Sequence, residues 1–350
     1  MRILFVITRS DLGGAQSVIV NLANYYVADG HEVIVAAGDG DGKLFEMLHD
    51  GVKTERIKSL KRPLSVKDDL RAVWQLRGLY RRYRPDVVHL HSSKAGILGR
   101  IAFPPRRVVY TVHGFDSIRV AFRKYLPVEK LLQKRCSAIV GVSRYDYDNL
   151  LAEGITSNVS YVYNGVSVPH EMPEGQFDRF SAYRRKILCI ARLSPQKNHG
   201  LFFEVARLMP DTAFLWIGNQ HPVQKPFPEN VFFLGNIVNA ASYIRQADLF
   251  FLPSNYEGLP MVIIEALASG VPVVASDVGG IPELLDGHDG FATPNDACVI
   301  KDRINRILSS QTAYDDFSLA ASELYCKSFT VDKMASGYMK IYKRIVNADR

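Results

Sequence analysis

Residues 250–283 read FFLPSNYEGLPMVIIEALASGVPVVASDVGGIPE, and the fold follows from how this stretch is punctuated. Asp248 to Leu252 is an apolar run, the mark of a strand buried on both faces. A polar turn, Pro253 to Gly258, leads through Leu259-Pro260 into an apolar helix, Met261 to Ser269. Pro260 suits the first helical position, where its missing N–H costs nothing, and Gly270 suits the helix end. Val271 to Ala275 is a second short buried strand, and Gly279-Gly280 opens another loop. Strand, loop, helix, strand is the repeating unit of an open α/β sheet.

Two carboxylates stand out. Glu265 lies in a helix with almost no polar face, so it needs a partner or a hydrogen bond. Glu257 lies in the loop at the carboxyl end of a strand, where open α/β sheets bind ligands, and the helix start beside it favours phosphate. One phosphorylated, polyhydroxylated ligand accounts for all three features. A purely structural arrangement is the alternative: Glu257 capping the helix and Glu265 paired with a buried Arg.

Working outward, 350 residues accommodate two domains. The first half alternates strands and helices: a strand at Arg2 to Thr8, a helix at Ala15 to Ala28, strands at Glu32 to Ala37 and Asp86 to His91, then Val108 to Val112 and Ala138 to Val142. Ser143 is placed to cap the next helix. Tyr163-Asn164-Gly165 is a turn, followed by a polar segment to about Arg184, and the domain boundary falls there. A second α/β series begins at Lys186 to Arg192. It continues through a helix near Gly200 to Met209, strands at Ala213 to Gly218 and Val231 to Gly235, and a helix near Ala240 to Gln246. From Asp296 the chain is mostly helical, and Tyr338, Ile341, Tyr342 and Ile345 form a stripe that needs a partner surface. The expected division is 1–165, 166–330 and a terminal helix in 331–350.

No apolar run approaches the ~20 residues of a membrane span, and the apolar start is too short for a signal peptide. Cys136, Cys189, Cys298 and Cys326 show no ligand spacing and are expected to be buried free thiols in a reducing cytoplasm. The net charge of +7 is uneven. Residues 1–165 hold 25 Lys and Arg against 16 Asp and Glu, roughly +9, and the remainder is roughly −2. The basic segment Lys53 to Arg84 also carries Trp74, Leu76, Leu79 and Tyr80, so it is either a face for an anionic membrane or a solvated helix face. No nucleic-acid motif accompanies the charge.

Several loops are placed to form a site. Gly13-Gly14 follows the first strand and allows close approach of backbone to ligand, or is a plain tight turn. The dinucleotide fingerprint fails: the glycine pattern is wrong, and no acidic residue closes the second strand. Arg192 and Lys197 follow the first strand of the second series, as a diphosphate clamp or as solvated cations. His113 ends a strand before Gly114, in a functional or a packing role. His89 and His91 face one way on their strand, with no third ligand for a metal, as packing residues or acceptor contacts. Lys94, near a helix start, meets an anionic acceptor group or is simply exposed.

Together these pieces resemble the retaining nucleotide-sugar glycosyltransferases of the GT-B fold, glycosyltransferase family four, over nearly the whole chain. Glu257 and Glu265 match its E-x7-E motif, Arg192 and Lys197 its diphosphate-binding pair, Gly13-Gly14 its glycine loop and His113-Gly114 its first-domain histidine. His89 to Arg100, HLHSSKAGILGR, resembles the bacterial members that build surface polysaccharides. The resemblance implies two doubly wound Rossmann-like domains facing across a cleft, the last helix packing back on the first and closure occurring about Asn164-Gly165. It implies a catalytic set of His113, Glu257, Arg192 and Lys197. The donor would be held by Gly13, Gly14, Arg192, Lys197, Gly218, Asn219, Asn236, Ile237, Glu257, Gly258, Leu259 and Glu265. Glu265 would take the ribose and Glu257 the sugar; His91 and Lys94 would stand on the acceptor side.

The implied reaction is retaining transfer from a nucleotide-diphosphate sugar, UDP-linked by preference, to a glycan or lipid-linked acceptor such as an undecaprenyl-diphosphate sugar. It needs no cofactor and, with no Asp-x-Asp cluster, no metal; the leaving phosphate oxygen takes the acceptor proton. The expected location is the cytoplasm or the inner face of the cytoplasmic membrane. Two alternatives share the architecture: a nucleotide-sugar epimerase, and a non-catalytic nucleotide-sugar-binding or scaffold protein.

Overall fold

The computed structural model describes residues 1–168, 175 and 177–348. Part of the polar segment expected between the domains lies outside these residues. Contacts divide the chain into two compact units, Met1–Gly165 with Val331–Arg350, and Val166–Thr330.

The first unit holds strands β1 (Arg2–Arg9), β2 (Glu32–Asp39), β3 (Lys53–Arg56), β4 (Val87–His91), β5 (Val108–Val112), β6 (Ala138–Gly141) and β7 (Val159–Tyr161). They form one sheet in the order β3-β2-β1-β4-β5-β6-β7, every pair parallel. Its helices are α1 (Gly14–Ala28), α2 (Lys43–Glu46), α3 (Val66–Tyr83), α4 (Ser93–Ala102), α5 (Leu126–Leu132) and α6 (Arg144–Ala152). Ile3 to Ile7 are buried through the middle of β1, as a parallel sheet covered on both faces requires. Ser143 caps α6 by accepting the Asp146 N–H at 3.0 Å.

The second unit repeats the plan with β8 (Arg185–Ile190), β9 (Thr212–Ile217), β10 (Val231–Phe233), β11 (Leu249–Leu252), β12 (Val273–Ser276) and β13 (Gly290–Thr293). Their order is β10-β9-β8-β11-β12-β13, again parallel. Its helices are α7 (His199–Arg207), α8 (Met261–Ala268), α9 (Ala297–Ile307) and α10 (Gln311–Ser328). In both sheets the order reverses beside the first strand, between β1 and β4 and between β8 and β11. Loops at the carboxyl ends of those strands diverge there and leave a crevice for ligand.

The last helix, α11 (Val331–Asn347), belongs to the first unit. Its stripe Tyr338, Ile341, Tyr342 and Ile345 is buried. The Tyr26 hydroxyl donates to the Ala335 carbonyl at 2.8 Å, and the Tyr342 hydroxyl lies 2.6 Å from His89 Nδ1.

Several expectations need correction. Strand β2 runs on to Asp39, so an acidic residue does close it, although the glycine fingerprint is still missing. Pro260 is the residue before α8, with φ −69° and ψ 120°, not its first helical residue. Residues 240–246 form a 3-10 run rather than an α-helix. Cys298 and Cys326 are exposed; only Cys136 and Cys189 are buried. Leu76 and Leu79 are core residues and Tyr80 is half-buried, so of the apolar side chains expected on the basic surface Trp74 alone is exposed.

Candidate active site

The second unit's crevice is built by the loops after β8 and β11. They are laced together: the Asn255 N–H donates to the Gln196 carbonyl (2.8 Å), Gln196 Nε2 to the Tyr256 carbonyl (2.9 Å) and Asn255 Nδ2 to the Pro195 carbonyl (2.8 Å). This brings Lys197 to Glu257. The ammonium pairs with Glu257 Oε1, which also accepts the Ser254 hydroxyl at 2.7 Å. Glu257 is buried and Lys197 half-buried, while Arg192 stays exposed and forms no ion pair among the described residues. Among the described residues neither half of the structural alternative is seen, since Glu257 pairs with Lys197 and Glu265 with no Arg.

Glycine makes room for this loop. A Cβ at Gly279 would lie 2.0 Å from the Glu257 carbonyl oxygen, and Gly279 has φ +60°. The next residue donates its N–H to the Gly258 carbonyl at 2.8 Å. No side chain caps the start of α8, and its first turn carries no acidic residue. The positive end of the helix is therefore not neutralised locally. At the far end Gly270 adopts φ +67°, and the Val271 N–H closes on the Ala266 carbonyl at 3.0 Å.

Glu265 lies one turn into α8. Among the described residues its carboxylate meets no hydrogen-bond or ion-pair partner, although it is half-buried. Desolvation alone pushes its pKa up to about 7. Among the described residues the expected internal partner is not found, which leaves a group suited to accepting hydroxyls from a ligand.

At the ends of β9 and β10, the Gly218 N–H donates to the Gly235 carbonyl (2.7 Å) and the Gly235 N–H to Asn219 Oδ1 (2.8 Å). Asn219 is thus committed to shaping the loop. A groove of about 1060 Å³ lies beside Asn219 and Asn236, with Tyr183, Phe227 and Phe233 in its walls. Ile237 is half-buried next to it in sequence.

In the first unit, Gly13 precedes α1 with an extended φ of 178° and no side-chain cap. His113 follows β5 directly, and its Nε2 lies 2.8 Å from His91 Nδ1, with the rings stacked. His91 Nε2 is buried with no hydrogen-bond partner among the described residues. His89 is held by Tyr342 and by Thr111 at 2.7 Å. Burial lowers the pKa of all three imidazoles, that of His113 to about 4. Lys94 is neither exposed nor free: it pairs with Asp69 at 2.6 Å and donates to the Pro63 carbonyl.

Two supporting residues escape sequence reading. Ser254 positions Glu257, and Asp146 holds the loop after His113 by accepting the Phe115 N–H at 2.7 Å. The Asp146 pKa is raised to about 7, chiefly by desolvation. Its signal is the S-x-x-D spacing from Ser143, which marks a helix start but not the second task.

Two family models match the chain: "Glycosyltransferase Family 4" over residues 12–168 and "Glycosyl transferases group 1" over residues 184–310. The sequence is similar to the Escherichia coli UDP-Gal:alpha-D-GlcNAc-diphosphoundecaprenol alpha-1,3-galactosyltransferase, 28% identical over 71% of this chain and 73% of that protein. It is also similar to the Escherichia coli O-antigen biosynthesis glycosyltransferase WbnH, 25% identical over 96% of this chain and 98% of that one. In fold it is similar to Anabaena Alr3699/HepE, solved in complex with UDP and glucose, with a TM-score of 0.83 at 22% identity over 98% of this chain and all of that one.

Proposed function

Because the chain belongs to the family 4 glycosyltransferases, enzymes that transfer hexosyl groups, we propose that it moves a sugar from a UDP-linked donor to a glycan or lipid-linked acceptor in surface-polysaccharide synthesis. One observation carries this reading. At the switch point of the second unit, Lys197 and Glu257 are already paired beside the uncapped start of α8, while Glu265 in that helix is desolvated and has no partner among the described residues. The UDP-galactose and lipid-diphosphate named for the Escherichia coli relative support the substrate classes.

In this reading Glu265 accepts the ribose hydroxyls, and Glu257 orients the donor sugar while keeping the Lys197 ammonium in place. Arg192, Lys197 and the backbone at Gly258 and Leu259 hold the diphosphate. The bond from the anomeric carbon to the diphosphate breaks, and its electron pair leaves with the phosphate. The acceptor oxygen bonds to the carbon on the same face, its proton passing to the departing phosphate oxygen, so configuration is retained. Cationic side chains and the helix end stabilise the leaving charge, and no metal ion is called for. His113, neutral at pH 7, hydrogen-bonds to the acceptor.

The test is incubation with UDP-hexoses in chelator, with and without a lipid-diphosphate-linked sugar. UDP release and an α-linked product from an α-linked donor are expected. A β-linked product rejects retention, and activity lost in chelator but restored by Mg²⁺ or Mn²⁺ rejects metal independence. Epimerised donor without acceptor would favour the isomerase, and no turnover of any donor would favour the scaffold.

A further inference from the structure

Helix α3 presents one face to solvent that a helix of a water-soluble surface has no reason to carry. Val66, Leu70 and Trp74 are 80%, 67% and 75% exposed, and Leu64 just before the helix is 73% exposed. At ~100° per residue, positions 66, 70, 74, 77 and 81 fall within an arc of about 80°. Ala72, Leu76 and Leu79, all buried, point the other way, and buried Val73 lies at the edge of the arc beside Val66. The exposed arc therefore runs from an apolar half, Val66-Leu70-Trp74, into a basic half, Arg77-Arg81.

The basic half continues into a small pocket of about 310 Å³, where Arg77 and Arg81 meet Arg135, Ile101, Phe103 and Pro104. Arg77 and Arg135 are oriented by backbone carbonyls, those of Ile101 (3.5 Å) and Arg100 (3.3 Å). None of the three arginines has an acidic partner among the described residues. Residues 61–84 hold eight Lys and Arg and two Asp. Both Asp are already engaged: Asp68 with Lys61 at 3.3 Å and Asp69 with Lys94 at 2.6 Å.

We propose that this face of α3, from Leu64 to Arg81 with the Arg135 pocket, docks on an anionic phospholipid surface. The apolar half enters the headgroup boundary, where indole rings are favoured. The arginines take lipid phosphate, the planar guanidinium being suited to two oxygens at once. Among the described residues no helix is long and apolar enough to cross a membrane. The proposal concerns the first unit alone and does not depend on the donor assignment.

Co-sedimentation of the full chain with phosphatidylglycerol-containing vesicles and with pure phosphatidylcholine vesicles tests it. Binding to the anionic vesicles only, weakening as salt rises, is expected. Of the two Trp residues, Trp216 is fully buried, so the exposed Trp74 should report directly by a blue-shifted emission and protection from acrylamide. Leu70→Ser with Trp74→Ser, and separately Arg77→Glu with Arg81→Glu, should each weaken partition at least tenfold while leaving the circular dichroism and melting curve unchanged. Failure to bind anionic vesicles at low salt, equal binding to both lipids, undiminished quenching of Trp74, or full binding by both folded variants overturns the proposal. So does a concentration-dependent dimer abolished by the same substitutions without vesicle binding, which would assign the face to a second copy.

Discussion

At Glu265 a carboxylate sits desolvated with no partner among the described residues, and two consequences follow. Burial raises its pKa to about 7 in the free protein, above its ordinary value, so the fold keeps a proton that the unfolded chain releases. The contribution to stability is complete below the unfolded pKa and is lost as pH rises through about 7. Glu265→Gln should therefore raise the melting temperature at pH 8 and leave it unchanged at pH 4. Glu265→Ala should weaken donor binding by about 10- to 100-fold, the measure of one lost hydrogen bond to a charged group. Titration calorimetry checks this, and unchanged affinity in a folded variant removes Glu265 from the donor site. His113 is displaced the opposite way. With its pKa lowered to about 4, its contribution is complete above the unfolded value of about 6.5 and is lost as pH falls through about 4. Its NMR resonances should not move between pH 8 and pH 5.5; a midpoint near 6.5 would contradict the burial that places it against His91.

Among the elements, α11 depends on its hydroxyls as much as on its apolar stripe. Tyr342→Phe leaves His89 Nδ1 buried without its 2.6 Å partner, which should cost about 1–3 kcal/mol in urea unfolding. Unchanged stability would mean that His89 finds another partner. Elements bounded by strong punctuation were legible in the sequence. Phe250 to Glu283 declared itself through an apolar run, a polar turn, Pro260 and Gly270, and the stripe on α11 through its period. Strand β3, four residues of KTER with none buried, has no alternation to announce it, and β13 begins in glycine. The site was legible where residue type and loop position coincide, as at Glu257 and Lys197. It was not legible where contacts depend on register. Pairing His91 with Thr111 across β4 and β5 brings His91 to His113, and no spacing within either strand records that. Nor could composition show that Leu76 faces the core while Trp74 faces solvent, because both lie in the same basic segment.

Over the whole molecule, the chain is two sheets of one plan, and its last helix completes the first of them. Ending the chain at Thr330 removes the partners of Tyr26, His89 and Thr111. Limited proteolysis should then cut within residues 1–165 while Val166–Thr330 stays resistant. Equal resistance of both units would contradict the assignment of α11 to the first unit's core. The central claim concerns the second unit: its switch point holds a nucleoside-diphosphate sugar. The most direct measurement is a thermal-shift screen of the purified chain against UDP-, GDP- and ADP-sugars in chelator. A ligand at ~100-fold excess over its dissociation constant stabilises the fold by about 2.7 kcal/mol, a readily visible shift. A shift selective for UDP-sugars and lost in Glu265→Ala is the predicted result; no shift with any donor, in a sample that melts cooperatively, would contradict it.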